Sequence, residues 1–123
     1  MKQKILVVED DPAAAEILTQ RLRHAGYGVA VAPNGVKGLK IAVEDKPDIV
    51  LTDVWMPVGM GFALAYRLRA AYPELPIVFL TGSPRPGLED TAKSFGHTRL
   101  LQKPYDSAAL LNTISEMLPT AHS

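Results

Sequence analysis

Residues 4–11 read KILVVEDD, and this stretch decides the fold. Ile5, Leu6, Val7 and Val8 form an unbroken aliphatic run, with none of the apolar–polar alternation of a strand that keeps one face in water. Such a run suits a strand covered on both faces, as in a parallel sheet. It then stops abruptly at Glu9 and Asp10, which could not stay buried unpaired. Two more runs end the same way: DIVLTD, residues 48–53, at Asp53, and RLLQKP, residues 99–104, at Lys103. Parallel strands in an open α/β sheet place their carboxyl ends along one edge, where ligands bind. Strands of that kind would gather three acids and one lysine, far apart in the chain, at a single spot.

The rest of the chain fits the same plan. Strands are expected at Lys4–Val8, Gly28–Ala32, Ile49–Thr52, Ile77–Leu80 and Arg99–Leu101, the second and fifth being more polar and so placed at the edges. Asp11-Pro12 offers an N-cap and a first-turn proline, with Ala14, Leu18, Leu22 and Ala25 as the apolar stripe and Gly26 as the stop. A second helix starts at Asn34, turns Val36, Leu39 and Val43 inward, and ends before Pro47. Gly61, Leu64, Ala65, Leu68 and Ala71 line a third, ending at Tyr72-Pro73; Leu88, Ala92 and Phe95 mark a fourth, closed by Gly96. Asp106 or Ser107 caps the fifth, with Leu110, Ile114 and Met117 in register. Five βα units with right-handed crossovers predict an α/β, flavodoxin-like (βα)5 three-layer sandwich, its five-stranded parallel sheet in the order 2-1-3-4-5 with helices on both faces. In that order the switch point falls between the first and third strands, the two that end in Glu9, Asp10 and Asp53.

Bulk properties narrow the function. With 123 residues, the chain is expected to form one domain over 1–123, with 119–123 as a short tail. Cysteine is absent, which excludes disulfides, thiolate zinc sites and thiol catalysis. Thirteen basic residues balance thirteen acidic ones and are scattered, Arg21, Arg23, Arg67 and Arg69 falling on expected polar helix faces, so no nucleic-acid or lipid surface is predicted. No apolar stretch approaches the ~20 residues of a membrane helix, and the run at Ile5–Val8 is too short for a secretory signal. The expected location is the cytoplasm. His24, His97 and His122 read as solvated surface residues, and Asp11 as a helix cap.

Three neighbouring carboxylates repel one another, and a hard divalent cation resolves that conflict. Magnesium suits the site, since it takes oxygen ligands and typically binds through one or two carboxylates plus a phosphate. The charges balance as well: Glu9, Asp10 and Asp53 against Mg²⁺ and Lys103. Such a site could carry a phosphoryl group on one carboxylate, with metal and lysine holding its oxygens.

Four segments in this order, ILVVEDD at 5–11, LTDVWMPVGMG at 51–61, LTG at 80–82 and QKPY at 102–105, resemble the receiver domain of two-component response regulators. The match spans essentially the whole chain. The resemblance implies that Asp53 accepts a phosphoryl group from the phosphohistidine of a sensor histidine kinase or phosphotransfer protein. It implies Mg²⁺ as cofactor, held by Asp10, Asp53 and the backbone carbonyl of Trp55, with Glu9 acting through water. Lys103 would pair with phosphoryl oxygens, the Thr81 hydroxyl would donate to one, and the backbone N–H groups of Trp55 and Gly82 would do likewise. Met56-Pro57 and Gly61 would shape the loop after Asp53, and Lys103–Pro104 would be a cis peptide. The output surface would be the fourth helix, fifth strand and fifth helix, binding an effector or a second copy. The domain would be a switch rather than an enzyme, promoting only its own phosphorylation and dephosphorylation.

The sequence departs from that family at Leu100, where receivers usually carry Tyr or Phe three residues before the lysine. Leucine cannot swing an aromatic ring inward, so phosphorylation is expected still to shift the loop 82–88, with a smaller or different change on the output face. Pro84 and Pro86 stiffen that loop, while Gly82 replaces the usual alanine. Trp55 and Ser83 stand where self-hydrolysis rates tend to be set, and neither is a good general base, so a long-lived phosphoryl group is expected. Two other classes compete: a pseudo-receiver that binds partners without phosphorylation, and a haloacid-dehalogenase-like phosphatase. The latter needs a second Asp two residues after the first, where this chain has Trp55. Only residues 119–123 follow Leu118, which suits either a stand-alone regulator or a receiver cut from a longer protein.

Overall fold

The computed structural model describes residues 2–55, 61–83 and 85–118. Five strands, β1 (Lys4–Val8), β2 (Gly28–Ala32), β3 (Ile49–Asp53), β4 (Ile77–Thr81) and β5 (Thr98–Gln102), alternate with five helices. The helices are α1 (Pro12–His24), α2 (Gly35–Asp45), α3 (Gly61–Ala71), α4 (Leu88–Ser94) and α5 (Ser107–Met117). All strand pairs are parallel, and the order is β2-β1-β3-β4-β5, as the patterning predicts.

Alternate residues of a strand point to opposite faces, and the core divides accordingly. Leu6, Val8, Val50, Ile77 and Phe79 face one layer with Ala42, Leu64, Leu68, Leu88 and Ala92 of α2, α3 and α4. Ile5, Val7, Ile49, Leu51, Val78 and Leu80 face the other with Leu18, Leu22, Leu110 and Ile114 of α1 and α5. The three central strands are buried almost end to end, which is why their sequences do not alternate. Strands β3, β4 and β5 run one residue further than expected, to Asp53, Thr81 and Gln102. Asp53 still pairs with Leu80, and Thr81 with Gln102, so both polar side chains hang from backbone that the ladder still holds.

Helix starts follow the sequence closely. Asp11 Oδ1 accepts from Ala13 N–H at 3.2 Å, Asn34 Oδ1 from Lys37 N–H at 2.9 Å, and Asp106 Oδ1 from Ala109 N–H at 2.6 Å. Gly26 and Gly96 take left-handed φ angles of 101° and 70° just past α1 and α4.

Three helix faces differ from expectation. On α1 the buried set is Ala15, Leu18, Thr19 and Leu22; Ala14 is half-buried and Ala25 exposed. On α2, Val36 and Val43 point outward, while Gly35, Gly38 and Ala42 face the sheet. The reason is proximity: a Cβ on Gly38 would lie 3.0 Å from Val8 Cγ2 and 3.3 Å from Leu64 Cδ2. Small residues let α2 settle against β1 and α3, so the larger valines are left outside. On α3, Ala71 is exposed beyond the buried Gly61, Leu64, Ala65 and Leu68.

Arg69 is a further correction. It is half-buried rather than solvated, and its guanidinium donates to the carbonyls of Phe95, Tyr72, Pro73, Leu75 and Gly96 at 2.6–3.1 Å. Those groups end α3 and α4, so one side chain ties both helix ends together. Burial lowers its pKa, opposed by the charge of Glu74.

Candidate functional site

The register sets the site. Val8 lies beside Thr52, so Glu9 and Asp10 emerge next to Asp53 at the carboxyl edge, and β4 delivers Thr81 alongside. Carboxylate oxygens of Glu9, Asp10 and Asp53 all lie within 4.8 Å of one another. Lys103 arrives from β5, with Nζ 2.9 Å from Asp53 Oδ2 and 3.2 Å from Glu9 Oε1. Glu9 and Asp53 are buried, with 5% and 8% of their surface exposed, whereas Asp10 is open to solvent.

Each charge has an identifiable support. Glu9 Oε2 accepts from the Asp11 N–H at 3.2 Å. Burial pushes the Glu9 carboxyl above its ordinary range, Asp10 adds in the same direction, and the Asp11 N–H and Lys103 oppose both. Burial alone would lower the Lys103 ammonium, but its hydrogen bond to Asp53 and the charges of Glu9 and Asp53 raise it. Lys103 therefore stays protonated over the physiological range. Three carboxylates against one ammonium leave the pocket short of positive charge. An all-oxygen, acidic donor set of this size fits a hard divalent cation such as magnesium. Among the described residues, these are the groups so arranged.

The remaining expected residues surround this centre. Trp55 N–H donates to Asp53 Oδ1 at 2.9 Å. Thr81 is fully buried, and its Oγ1 accepts from Ser83 N–H at 3.1 Å. Gly82 is exposed beside Lys103, whose backbone N–H donates to the Thr81 carbonyl at 2.7 Å. The Lys103–Pro104 peptide is cis, as expected, and directs the chain from β5 into the turn before α5. Gly61 opens α3 hard against the end of β3: a Cβ there would collide with the Asp53 carbonyl oxygen and lie 3.1 Å from Val54 Cα. No other residue fits under the strand that carries Asp53. Met56, Pro57, Pro84 and His122 lie outside the described residues.

Leu100 is half-buried, paired with Phe79 across the β4–β5 ladder and packed against the α2–α4 core layer. It also lines a crevice with Ala92 and Thr98, where α4 meets β5. His24 is exposed, and His97 is an exposed partner of Glu74 at 3.2 Å, so neither faces the site.

One contact went unforeseen. The Trp55 indole N–H donates to the Ser83 carbonyl at 3.1 Å, and the Arg85 guanidinium lies 4.5 Å from the Trp55 ring centroid. Arg85 carried no motif; the only sign of it was an arginine near Ser83 with the sole tryptophan near Asp53.

A doubly covered parallel sheet with acids at its switch point and an invading lysine defines a class of edge sites suited to phosphoryl chemistry. The sequence matches the family model of the response regulator receiver domain over residues 5–115, and the chain belongs to that family. It is 32% identical over 119 residues to the DNA-binding dual master transcriptional regulator RpaA of Synechocystis, covering 94% of this chain and 48% of that protein. It is 35% identical over 119 residues to the transcriptional regulatory protein RprY of Bacteroides fragilis, covering 95% and 50%. The chain thus spans about half the length of the curated relatives it matches. Among solved structures, the chemotaxis protein CheY4 of Vibrio cholerae superposes with a TM-score of 0.90 at 32% identity, covering 96% of this chain and all of that one. A CheY-like receiver domain from Methanospirillum hungatei gives 0.90 at 25% identity, covering 94% and 93%. Receiver domains are signalling modules, and this chain has their fold and their acidic cluster.

Proposed function

We propose that the chain is a phosphorylatable switch that takes a phosphoryl group from the phosphohistidine of a sensor histidine kinase or phosphotransfer protein onto Asp53. One observation carries this reading: Asp53 is held at once by Lys103 at 2.9 Å and by the Trp55 N–H at 2.9 Å, with Glu9 and Asp10 beside it. The Asp53 carboxylate attacks phosphorus as the P–N bond to the imidazole breaks, and the imidazole leaves to pick up a proton. Lys103 draws off the charge growing on the transferring oxygens, and the Trp55 and Gly82 N–H groups and the Thr81 hydroxyl would donate to the same oxygens. Asp10, Asp53 and the Trp55 carbonyl, with Glu9 through water, would hold Mg²⁺, which when bound neutralises the phosphoryl oxygens and the crowded carboxylates.

The product carries more negative charge than the carboxylate it replaces, and that local change biases the loop after β4. The output surface is α4, β5 and α5, open to an effector or a second copy. With Leu100 in the switch position, the loop 82–88 still shifts, with a smaller or different change on that surface than an aromatic residue would give. Adding beryllofluoride and following amide shifts tests this point; large shifts throughout residues 88–105 would refute it. The domain turns over no external substrate, and it works in the cytoplasm. No nucleic-acid contact is assigned to it, given the balance of thirteen basic and thirteen acidic residues.

Leu100 also favours one second reading, a partner-binding module that works without phosphorylation. Acetyl phosphate with Mg²⁺ separates the two. The intact protein should gain the mass of one phosphoryl group, Asp53→Asn should gain none, and chelating the metal should abolish uptake. An unchanged mass for the parent chain would leave only the second reading.

A further inference from the structure

Trp55 serves two loops at once. Its backbone N–H holds Asp53 Oδ1, while its indole N–H crosses to the Ser83 carbonyl at 3.1 Å. Ser83 N–H in turn holds the Thr81 hydroxyl at 3.1 Å. The indole therefore completes a run of contacts from the acceptor carboxylate to the threonine on the next strand. A single hydrogen bond to a carbonyl in an exposed turn competes directly with water, so it cannot keep a half-buried indole in one rotamer unaided. The Arg85 guanidinium supplies the second restraint, stacked 4.5 Å from the ring centroid, inside cation–π range. Arg85 has no carboxylate partner among the described residues, so nothing draws its charge away from the ring.

We propose that Arg85 is a positioning residue: stacked on Trp55, it keeps the indole bridged to Ser83, and the bridged indole slows the attack of water on an acyl phosphate at Asp53. The proposal rests on Asp53 being the phosphoacceptor. In the step it controls, a water oxygen bonds to phosphorus and the P–O bond to the Asp53 carboxyl breaks. Inorganic phosphate leaves, the carboxylate is restored, and the protons of the water pass to phosphate and solvent. A bridged indole, reaching from beside Asp53 to Ser83, would fill space on one flank of a phosphoryl group carried there. A cation–π contact at an exposed site shifts the bridged population about two- to five-fold, and the phosphoryl lifetime shortens by up to that factor when the cation is lost.

The sole tryptophan makes the indole its own reporter. Fluorescence is recorded without metal or phosphodonor on the parent chain, Arg85→Gln and Arg85→Lys. Phosphoryl loss is then followed by intact mass after loading with acetyl phosphate and Mg²⁺ and removing the donor, on the same chains, Trp55→Ala and the Trp55→Ala/Arg85→Gln double variant. Arg85→Gln should red-shift the emission, raise acrylamide quenching and shorten the lifetime by up to about two- to five-fold. Arg85→Lys should recover part of each effect, because a lysine stacks less well on a ring. In the Trp55→Ala background, Arg85→Gln should no longer matter. Unchanged fluorescence in Arg85→Gln, or an equal effect on lifetime with and without Trp55, overturns the role of Arg85. A parent chain that takes up no phosphoryl group overturns the acceptor reading, and this proposal with it; the metal-free fluorescence separates the two failures.

Discussion

Replacing Arg69 with methionine should cost the protein a large share of its stability, although the residue lies on a helix of the kind that usually shows its arginines to water. Its guanidinium donates to five carbonyls: Nε to Phe95, Nη1 to Tyr72, Pro73 and Leu75, and Nη2 to Gly96. Nη1 has two hydrogens for three acceptors, so one of those bonds is shared. The Pro73 and Gly96 contacts are exposed, and their carbonyls would return to water at little cost. The Tyr72, Leu75 and Phe95 contacts are part-buried, and their carbonyls would lose a charged donor with little to replace it. At about 1 kcal/mol for each of the three, the loss is about 3 kcal/mol. Methionine escapes the burial penalty that lowers the arginine pKa, which trims the figure to about 2–3 kcal/mol. For a domain of this size that is about 8–12 °C in Tm. Urea and thermal unfolding monitored by circular dichroism read it directly. Lysine should recover less than half, because one ammonium cannot reach carbonyls on both helix ends. A loss below about 0.5 kcal/mol, in the range of an ordinary surface substitution, would refute the assignment of Arg69 as a clamp.

Gly61→Ala should be severe, costing about 2–4 kcal/mol in urea unfolding and weakening Mg²⁺ binding, since the added carbon meets the Asp53 carbonyl oxygen, backbone that cannot step aside. Gly82→Ala should do the reverse, gaining about 0.4–1 kcal/mol in the same assay, because the nearest atoms to its Cβ are 4.0 Å away and the unfolded chain loses freedom. In EDTA the Glu9 contribution to stability should be fully present below the unfolded carboxyl pKa and lost as pH rises through the raised folded value, since the folded state holds that proton more tightly. The stability of Glu9→Gln relative to the parent should therefore grow from acid towards neutral pH in urea titrations, and a difference that grows towards acid would contradict the shift.

The topology was legible because the central strands are so uniformly aliphatic that few other arrangements could bury them. The acidic cluster was legible for a related reason: Glu9, Asp53 and Lys103 are charged residues at the ends of apolar runs, where burial penalises them, and Asp10 follows directly on the first. Helix faces were less legible. Reading α2 by its largest apolar residues selected Val36 and Val43, whereas Gly38 and Ala42 face the sheet because closeness, not bulk, decides that interface. Arg69 and Arg85 escaped notice because their partners are carbonyls and a ring brought near by tertiary structure. An arginine that bonds to backbone leaves no complementary charge in the sequence to betray it.

These two arginines divide the region that a phosphoryl group would disturb. Helix α4 starts after Gly87, which takes a left-handed φ of 83° and gives no side-chain cap, so its first turn is held by the buried Leu88 and by bonds from the Thr91 N–H and hydroxyl to the Gly87 carbonyl. Its far end is held from outside the helix: the carbonyls of Phe95 and Gly96 are gripped by Arg69, and the Ala92 carbonyl accepts from the Thr98 hydroxyl at 2.6 Å. Thr81, Ser83 and Arg85 lie on the chain leading into the start of α4. On the proposed function, a pull on the Thr81 hydroxyl would reach that loop and the first turn of α4 before the end held by Arg69. In receivers with an aromatic residue before β5 ends, a swinging ring could carry the change across to β5; here Leu100 offers a compact side chain already packed against the α2–α4 layer. On the proposed function, the response should be largest at the start of α4, and a partner selective for the phosphorylated form would read that part of the α4–β5–α5 surface.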